Sequence, residues 1–452
     1  TILLPNKHFD TLLYTGNGGS SQAITGLDFS PDWAWIKSRS DAESHTTYDA
    51  VRGSTSRLSP NNNGVEYTSS TQGLQSFDNN GFTVGQTDQN NKSSQTYVAW
   101  NWNAGDTDGK TYTVKVVDDS GNKYRFDDFG TSAVTLDLAE GGTYIFDQSD
   151  SSNAGHPLRF STTADGTHGG GTEYTTGVTT SGTPGSSGAF TQIVVAASAP
   201  NLAYYCTQHS GMGGSVNTNS TLGSSNFDGS IQSTAKVNAT AGFSIVTYTG
   251  TGSNGTVGHG LGVKPDSYWV KRRTGGLGDW MVFHKDLGST KNQRLNEGLS
   301  TFTQATIWNN TDPTSSVVNI GTSSAVNGNG STYVFYAFSE VAGYSKFGSY
   351  TGNGSSDGPF VFTGFRPAFV LFKYSSGSAQ WNVRDIARDT DNPTEKYLVP
   401  STNGAEGTSS HKIDFLSNGF KHRGTGAAFN SNGGTYIYLA FAESPFKNAR
   451  AR

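Results

Sequence analysis

One phrase occurs three times in this chain, and it constrains the fold more than any other feature. Tyr14 opens YTGNGGSSQAITGLDFSPDWAWIK, Tyr248 opens YTGTGSNGTVGHGLGVKPDSYWVK, and Tyr350 opens YTGNGSSDGPFVFTGFRPAFVLFK. Each copy crosses a Gly/Ser/Asn turn, reaches a proline (Pro31, Pro265, Pro367) and closes on an apolar run ending in Lys37, Lys271 or Lys373. Each also has a matching end, YVAW at Tyr97, YVFYAF at Tyr333 and YIYLAF at Tyr436, giving spacings of 83, 85 and 86 residues. Self-similarity at a period of this length marks a repeated small domain rather than a solenoid turn or a propeller blade.

The segments between these landmarks are short apolar runs punctuated by Gly, Asn and Ser, and none of ten or more residues shows helical periodicity. Such patterning predicts an all-β protein of tandem antiparallel sandwiches, jelly-roll-like because two-layer sheets suit strands of this length. Charged residues are only 15% and aromatics 12%, a balance that argues for packed cores and against disorder. The boundaries read as an N-terminal arm over 1–11, repeat 1 over 12–105, an insert over 106–218 and a polar linker over 219–242. Repeat 2 follows over 243–342, repeat 3 over 346–447 and a short tail over 448–452. The arm is expected to dock on a neighbour, and Lys447, Arg450 and Arg452 make a solvated basic end. The joint at 343–345 is short enough to hold repeats 2 and 3 rigidly together. Roughly 130 extra residues separate the first two copies, the size of an independent domain with its linker.

A formal net charge of −5 offers no basic stripe for nucleic acid. No signal peptide is visible at TILLPNKHFD, and no apolar run is long enough for a membrane span. The single cysteine, Cys206, excludes an internal disulfide and suits a chain made in a reducing cytoplasm.

One constellation could carry chemistry. Cys206, His209 and Met212 lie within seven residues of one another, and His156 stands fifty residues earlier. A thiolate, two imidazoles and a thioether are the donor set of a mononuclear blue-copper site. The bland alternative is a buried cysteine acting as a small core hydrophobe. Other groups argue against catalysis. His168-Gly-Gly-Gly has no lysine and no following helix, so it is no phosphate loop. Asp118-Asp119 and Asp127-Asp128 sit in turn contexts, and Trp280, His284 and Trp381 recur at related places in the repeats, which favours structure. Neither a Gly-x-Ser-x-Gly elbow nor HExxH occurs. Trp100 and Trp102 read as sandwich core, with a sugar-stacking platform as the alternative. The expectation is a protein that is not an enzyme.

The segment around Cys206 resembles the cupredoxin family, whose motif places Cys, His and Met together after a Tyr-rich strand. The resemblance implies a cupredoxin-like sandwich over 106–218, with His156, Cys206, His209 and Met212 as its metal ligands and copper as the candidate ion. The His-x2-Met interval is shorter than in plastocyanin-like members. At the level of the whole chain, YTGNG…GFRPAFVLFK…DFLSNGF…YIYLAFAESPFK and NFDGSIQSTAKVNATAGFSIVTYTGTGSN look like the repeat domains of structural proteins of tailed phages from marine bacteria and cyanobacteria. This likeness implies a virion component, a head decoration, head fibre or tail fibre, assembled in the host cytoplasm with no required cofactor. Its expected partners are other virion proteins, further copies of itself (a trimer among the options) and a host surface glycan. The alternatives are a cell-surface carbohydrate-binding protein and a copper redox protein acting through the insert.

Overall fold

The computed structural model describes residues 4–105, 109–219 and 223–443. The protein is all-β. Helices are single turns of four residues such as Asp88–Asn91, Ser324–Asn327 and Ala427–Asn430, and among the described residues none is long and apolar enough to cross a membrane. The chain divides into two compact units, one holding residues 1–104, 237–254 and 261–452, the other residues 105–236 and 255–260.

Repeat 3 shows the first unit's plan most simply, as two four-stranded antiparallel sheets. In one sheet the first strand, Ser345–Thr351, pairs with the last, Thr435–Ala442. Then follow the third, Pro367–Tyr374, and the fourth, Asn382–Asp385. The other sheet runs Phe360–Phe362, Gly419–Arg423, Gly407–Leu416, Thr394–Tyr397. In repeat 1 the same first–last–third–fourth order joins Phe9–Thr15, Thr96–Trp102, Trp33–Ser38 and Thr46–Asp49. In repeat 2 it joins Phe243–Thr249, Thr332–Phe338, Ser267–Arg272 and Met281–His284.

The recurring phrase has a physical cause in each copy. Its opening tyrosine stacks on the closing one: Tyr14 on Tyr97 at 5.0 Å, Tyr248 on Tyr333 at 5.1 Å and Tyr350 on Tyr436 at 4.8 Å between ring centroids. The residue after Tyr-Thr-Gly donates its backbone N–H to a buried asparagine on the short helix, Asn17 to Asn91, Thr251 to Asn327 and Asn353 to Asn430. The closing tyrosine hydroxyl donates back to a carbonyl of that helical turn, at Asp88, Ser324 and Ala427.

The terminal lysine of each phrase is fully buried and donates to loop carbonyls: Lys37 to Ser38 and Asp41, Lys271 to Gly278, Lys373 to Ala379. Burial pulls all three ammonium groups down to about 8. Their charge therefore destabilises the fold below that value, and the penalty disappears as pH rises from about 8 towards the unfolded lysine value near 10.5. The melting temperature is expected to be higher at about pH 9.5 than at about pH 7.5. Lys37→Met should flatten that rise, and an unchanged pH slope in a thermal melt of the variant would contradict this account.

The three tandem sandwiches are not separate from one another. Their large sheets pack on one another around a single core holding Phe9, Trp33, Trp100 and Trp102 from repeat 1, Phe243, Trp280, Tyr336 and Phe338 from repeat 2, and Phe369, Trp381, Leu439 and Phe441 from repeat 3. Trp33 stacks on Trp102 at 4.2 Å and on Tyr336 of the next repeat at 4.4 Å, while Phe9 stacks on Phe441 at 5.0 Å. These sheets are thus buried on both faces, one against their own small sheet and one against the common core. This explains why all six residues of Trp33–Ser38 are buried rather than alternating. Trp100 and Trp102, at 0% and 1% exposure, belong to this core and form no sugar platform.

The seams between repeats follow a cyclic rule. From the equivalent position just before each fourth strand, His45 meets the Val399 carbonyl, Trp280 donates to that of Ser59 and Trp381 to that of Arg294, so each repeat reaches one neighbour in the same sense. The His45 Nδ1 accepts the Trp35 indole N–H, so Nε2 carries the proton it donates to Val399. A backbone bond recurs likewise, from the Glu66 N–H to the Arg273 carbonyl, from Thr301 to Ser375 and from Glu406 to Arg39. Two seams add buried charge. Arg52 pairs with Asp49 and Glu66, and Glu66 bridges to Arg273 of repeat 2. Arg388 pairs with Asp385 and Glu406, and Glu406 bridges to Arg39 of repeat 1. The third seam has His284, Leu287, Thr301 and Ser375 at these places, a set without a carboxylate or a guanidinium. Burial pushes His284 down to about 4, so it is neutral, and its Nε2 meets the Tyr438 carbonyl at 3.3 Å. The threefold arrangement is completed within one chain.

Two boundaries differ from expectation. Residues 219–242 carry strands, Ser224–Asn226 paired with Ser233–Asn238, and Phe227 is buried in the second unit's core. Their polar composition reads as a linker because the strands are short and Gly-flanked. The arm at 1–11 already contains the first strand, with Phe9 in the common core, so its described part docks on its own chain. The tail at 448–452, with Arg450 and Arg452, and Lys447 before it lie outside the described residues.

Candidate metal centre

The second unit is a two-sheet sandwich. Asn122–Phe126, Gly109–Asp118, Thr143–Asp147, Phe190–Val194 and Val178–Ser181 form one sheet. Leu136–Ala139, Gly214–Asn219, Leu202–Cys206 and Leu158–Ser161 form the other. Between them lies a core of Tyr112, Phe126, Phe146, Phe160 and Tyr204. Leu158 pairs directly with Cys206, which sets the loop before one strand, with His156, beside the loop after the other, with His209.

Three of the four expected donors converge. The Cys206 Sγ lies 3.9 Å from His156 Nδ1 and 3.8 Å from His209 Nδ1, and the three ligand atoms all fall within 4.8 Å of one another. Cys206 is buried, His156 half-buried and His209 exposed. Metal–sulfur and metal–nitrogen bonds of about 2.3 and 2.0 Å at a trigonal angle of about 120° put sulfur and nitrogen about 3.7 Å apart. The two sulfur–nitrogen separations lie close to that edge, as a borderline or soft ion would require. Burial, then the neighbouring His209, hold the His156 imidazole below its usual range, which keeps a lone pair available for coordination. Met212 follows on the same loop, 1% exposed, with its side chain in the hydrophobic core.

The surrounding structure holds the donors in place. The His156 carbonyl accepts from Tyr124 Oη and Gln148 Nε2, both at 2.9 Å. The Cys206 sulfur accepts the Gln208 N–H at 3.4 Å, and the Cys206 carbonyl meets His168 Nε2 at 3.1 Å. The ligand loop is tied at both carboxylate oxygens of Asp165, to Ser210 Oγ and Gly211 N–H, and Lys123 donates to the Gly211 carbonyl. Gly213 permits the close return, since a Cβ there would lie 1.7 Å from the Tyr204 carbonyl. Sequence reading misses Asp165, Gln148 and Lys123, and His168 stands out only as a failed phosphate loop. Asp165-Gly166 signals a turn but not what the turn holds.

A sequence profile described as a domain of unknown function, DUF7483, matches residues 4–136 and 215–445. The chain belongs to the DUF7483 family. The DUF7483 match covers all three repeats and the flanks of the second unit. It skips 137–214, the stretch holding His156, Cys206, His209 and Met212. No curated protein and no solved structure matches the chain.

Proposed function

We propose that this protein is a structural component displayed on the surface of a virion, of head-decoration, head-fibre or tail-fibre type, contributing to particle stability or host-surface adhesion. What supports the reading, beside the resemblance of the repeats to tailed-phage structural proteins, is the cyclic seam. Three β-sandwiches close on one another around a common aromatic core without a disulfide, a body suited to display where proteases and dilution would dissociate a looser assembly. An antibody raised against the purified chain should label particles released from the producing cells and follow them through density-gradient sedimentation. Protein found wholly in the particle-free fraction would overturn the proposal.

The second unit supports a further reading, a cupredoxin-like metal-binding module. The observation that favours it is the convergence of the Cys206, His156 and His209 donor atoms within 4.8 Å of one another, with Met212 as the candidate fourth donor. Copper held there would supply one-electron redox chemistry and an intense thiolate-to-metal visible absorption. Titration with Cu(II) is expected to give that band with equimolar metal retained after gel filtration. Cys206→Ser should abolish both, and His209→Ala should weaken retention. Equal retention by parent and Cys206→Ser, measured by elemental analysis, would remove the assignment.

A further inference from the structure

The three seams serve as internal controls for one another, and one of them contains an unfilled place. Where repeat 3 meets repeat 2, Lys285 bonds Asp266 at 3.1 Å and Glu340 at 2.5 Å, and Lys346 on the first strand of repeat 3 reaches Glu340 at 2.9 Å. Two acids and two ammonium groups fill the seam. Where repeat 1 meets repeat 3, strand pairing assigns the equivalent places to Asp10 for Lys346, Ile386 for Lys285, Ala368 for Asp266 and Glu443 for Glu340. Both lysines are gone, and a cavity of about 380 Å³ lined by these four residues, with Phe9 and Thr390 among the others, occupies the place. At the remaining seam the corresponding residues are Ser244, Ala50, Asp32 and Ala104, all buried, and the Asp32 carboxylate accepts the Ala104 N–H at 2.7 Å.

The charge left in this cavity is uneven. Glu443 is paired with Arg366. Among the described residues no cation pairs with Asp10, whose carboxylate accepts the Thr11 N–H at 2.7 Å. Burial raises the Asp10 carboxyl to about 6, with the Thr11 bond opposing the rise and Asp28 adding to it. Apolar walls from Phe9, Ala368, Ile386 and Ala442 surround it. Asn6, Thr11 and Thr390 add polar edges. A half-enclosed pocket with apolar walls and one carboxylate outside any ion pair is the form of a site for a small amphiphilic cation.

We propose that this cavity binds a short-chain aliphatic ammonium, the free-ligand counterpart of the lysine side chains that fill the equivalent seam between repeats 2 and 3. Its methylenes lie against Ile386, Ala368 and Phe9, and its charge meets Asp10. The experiment is calorimetric titration of the full chain with n-butylammonium and putrescine, with n-butanol as the neutral control. Saturable binding of the ammonium compounds is expected, weakened about ten- to a hundredfold by Asp10→Asn, since a charged hydrogen bond is lost. Asp10→Lys supplies the missing side chain from within. It should abolish binding while the melting temperature holds or rises, a readout that separates occupancy of the site from loss of fold. No saturable binding to the parent, equal binding by Asp10→Lys, or n-butanol binding as tightly as n-butylammonium would each overturn the proposal.

Discussion

Replacing Trp33 with alanine is expected to lower the unfolding free energy by about 3–5 kcal/mol, the usual cost of deleting a large buried aromatic side chain. Trp33 is 1% exposed and touches repeat 1 through Trp102 and repeat 2 through Tyr336, Phe243 and Trp269. Its loss therefore opens a cavity shared by neighbours from two repeats. The consequence that distinguishes a common core from three independent ones is cooperativity. In differential scanning calorimetry the transition carrying the three repeats should move down as a single unit, with the second unit's transition in place, since its core of Tyr112, Phe146 and Tyr204 is separate. A variant in which repeat 1 melts alone, ahead of an unshifted transition for repeats 2 and 3, would show that the repeats fold independently.

Arg52→Ala is expected to cost a similar amount, about 3–5 kcal/mol, for a different reason. The Asp49 and Arg52 side chains are fully buried and 2.5 Å apart, and Asp49 also accepts the Tyr336 hydroxyl at 2.7 Å. Removing the guanidinium strands a carboxylate in a site that water does not reach, and the desolvation cost of that charge is no longer offset. The third seam shows the alternative solution. There His284, Leu287, Thr301 and Ser375 stand for Asp49, Arg52, Glu66 and Arg273, and Leu439 stands for Tyr336. Carrying that set across (Asp49→His, Arg52→Leu, Glu66→Thr, Arg273→Ser and Tyr336→Leu together) should cost much less than Arg52→Ala alone, because no charge is left unpaired. Chemical denaturation of the two variants decides the matter. A combined variant less stable than Arg52→Ala would show that the charged and uncharged sets of residues are not interchangeable.

The threefold repeat, its strands and the position of the insert are legible in the sequence, because each rests on local signals. Tyr14, Tyr248 and Tyr350 open strands whose partners recur at a constant spacing, and the Gly/Asn turns between them need no tertiary context. The candidate donors His156, Cys206 and His209 stand out as well, since the chain's single cysteine lies three residues from a histidine. Their geometry does not. It depends on the pairing of Leu158 with Cys206 and on Asp165, whose side chain closes the ligand loop across 45 residues of chain. Residues 219–242 read as a linker because two short polar strands carry no hydrophobic signature of their own.

Which faces meet is set by the packing of whole repeats. A strand such as Trp33–Ser38 has the same local conformation whether its outer face meets water or a neighbouring repeat, so sequence patterning identified the strand but left its second face open. The answer came from side chains hundreds of residues apart, such as Trp33 on Tyr336 and Phe9 on Phe441. The seam charges and the Asp10 cavity follow from that closure. Asp49 and Asp10 are ordinary strand residues and Ile386 an ordinary turn residue by themselves, and they acquire a role only when another repeat packs over them.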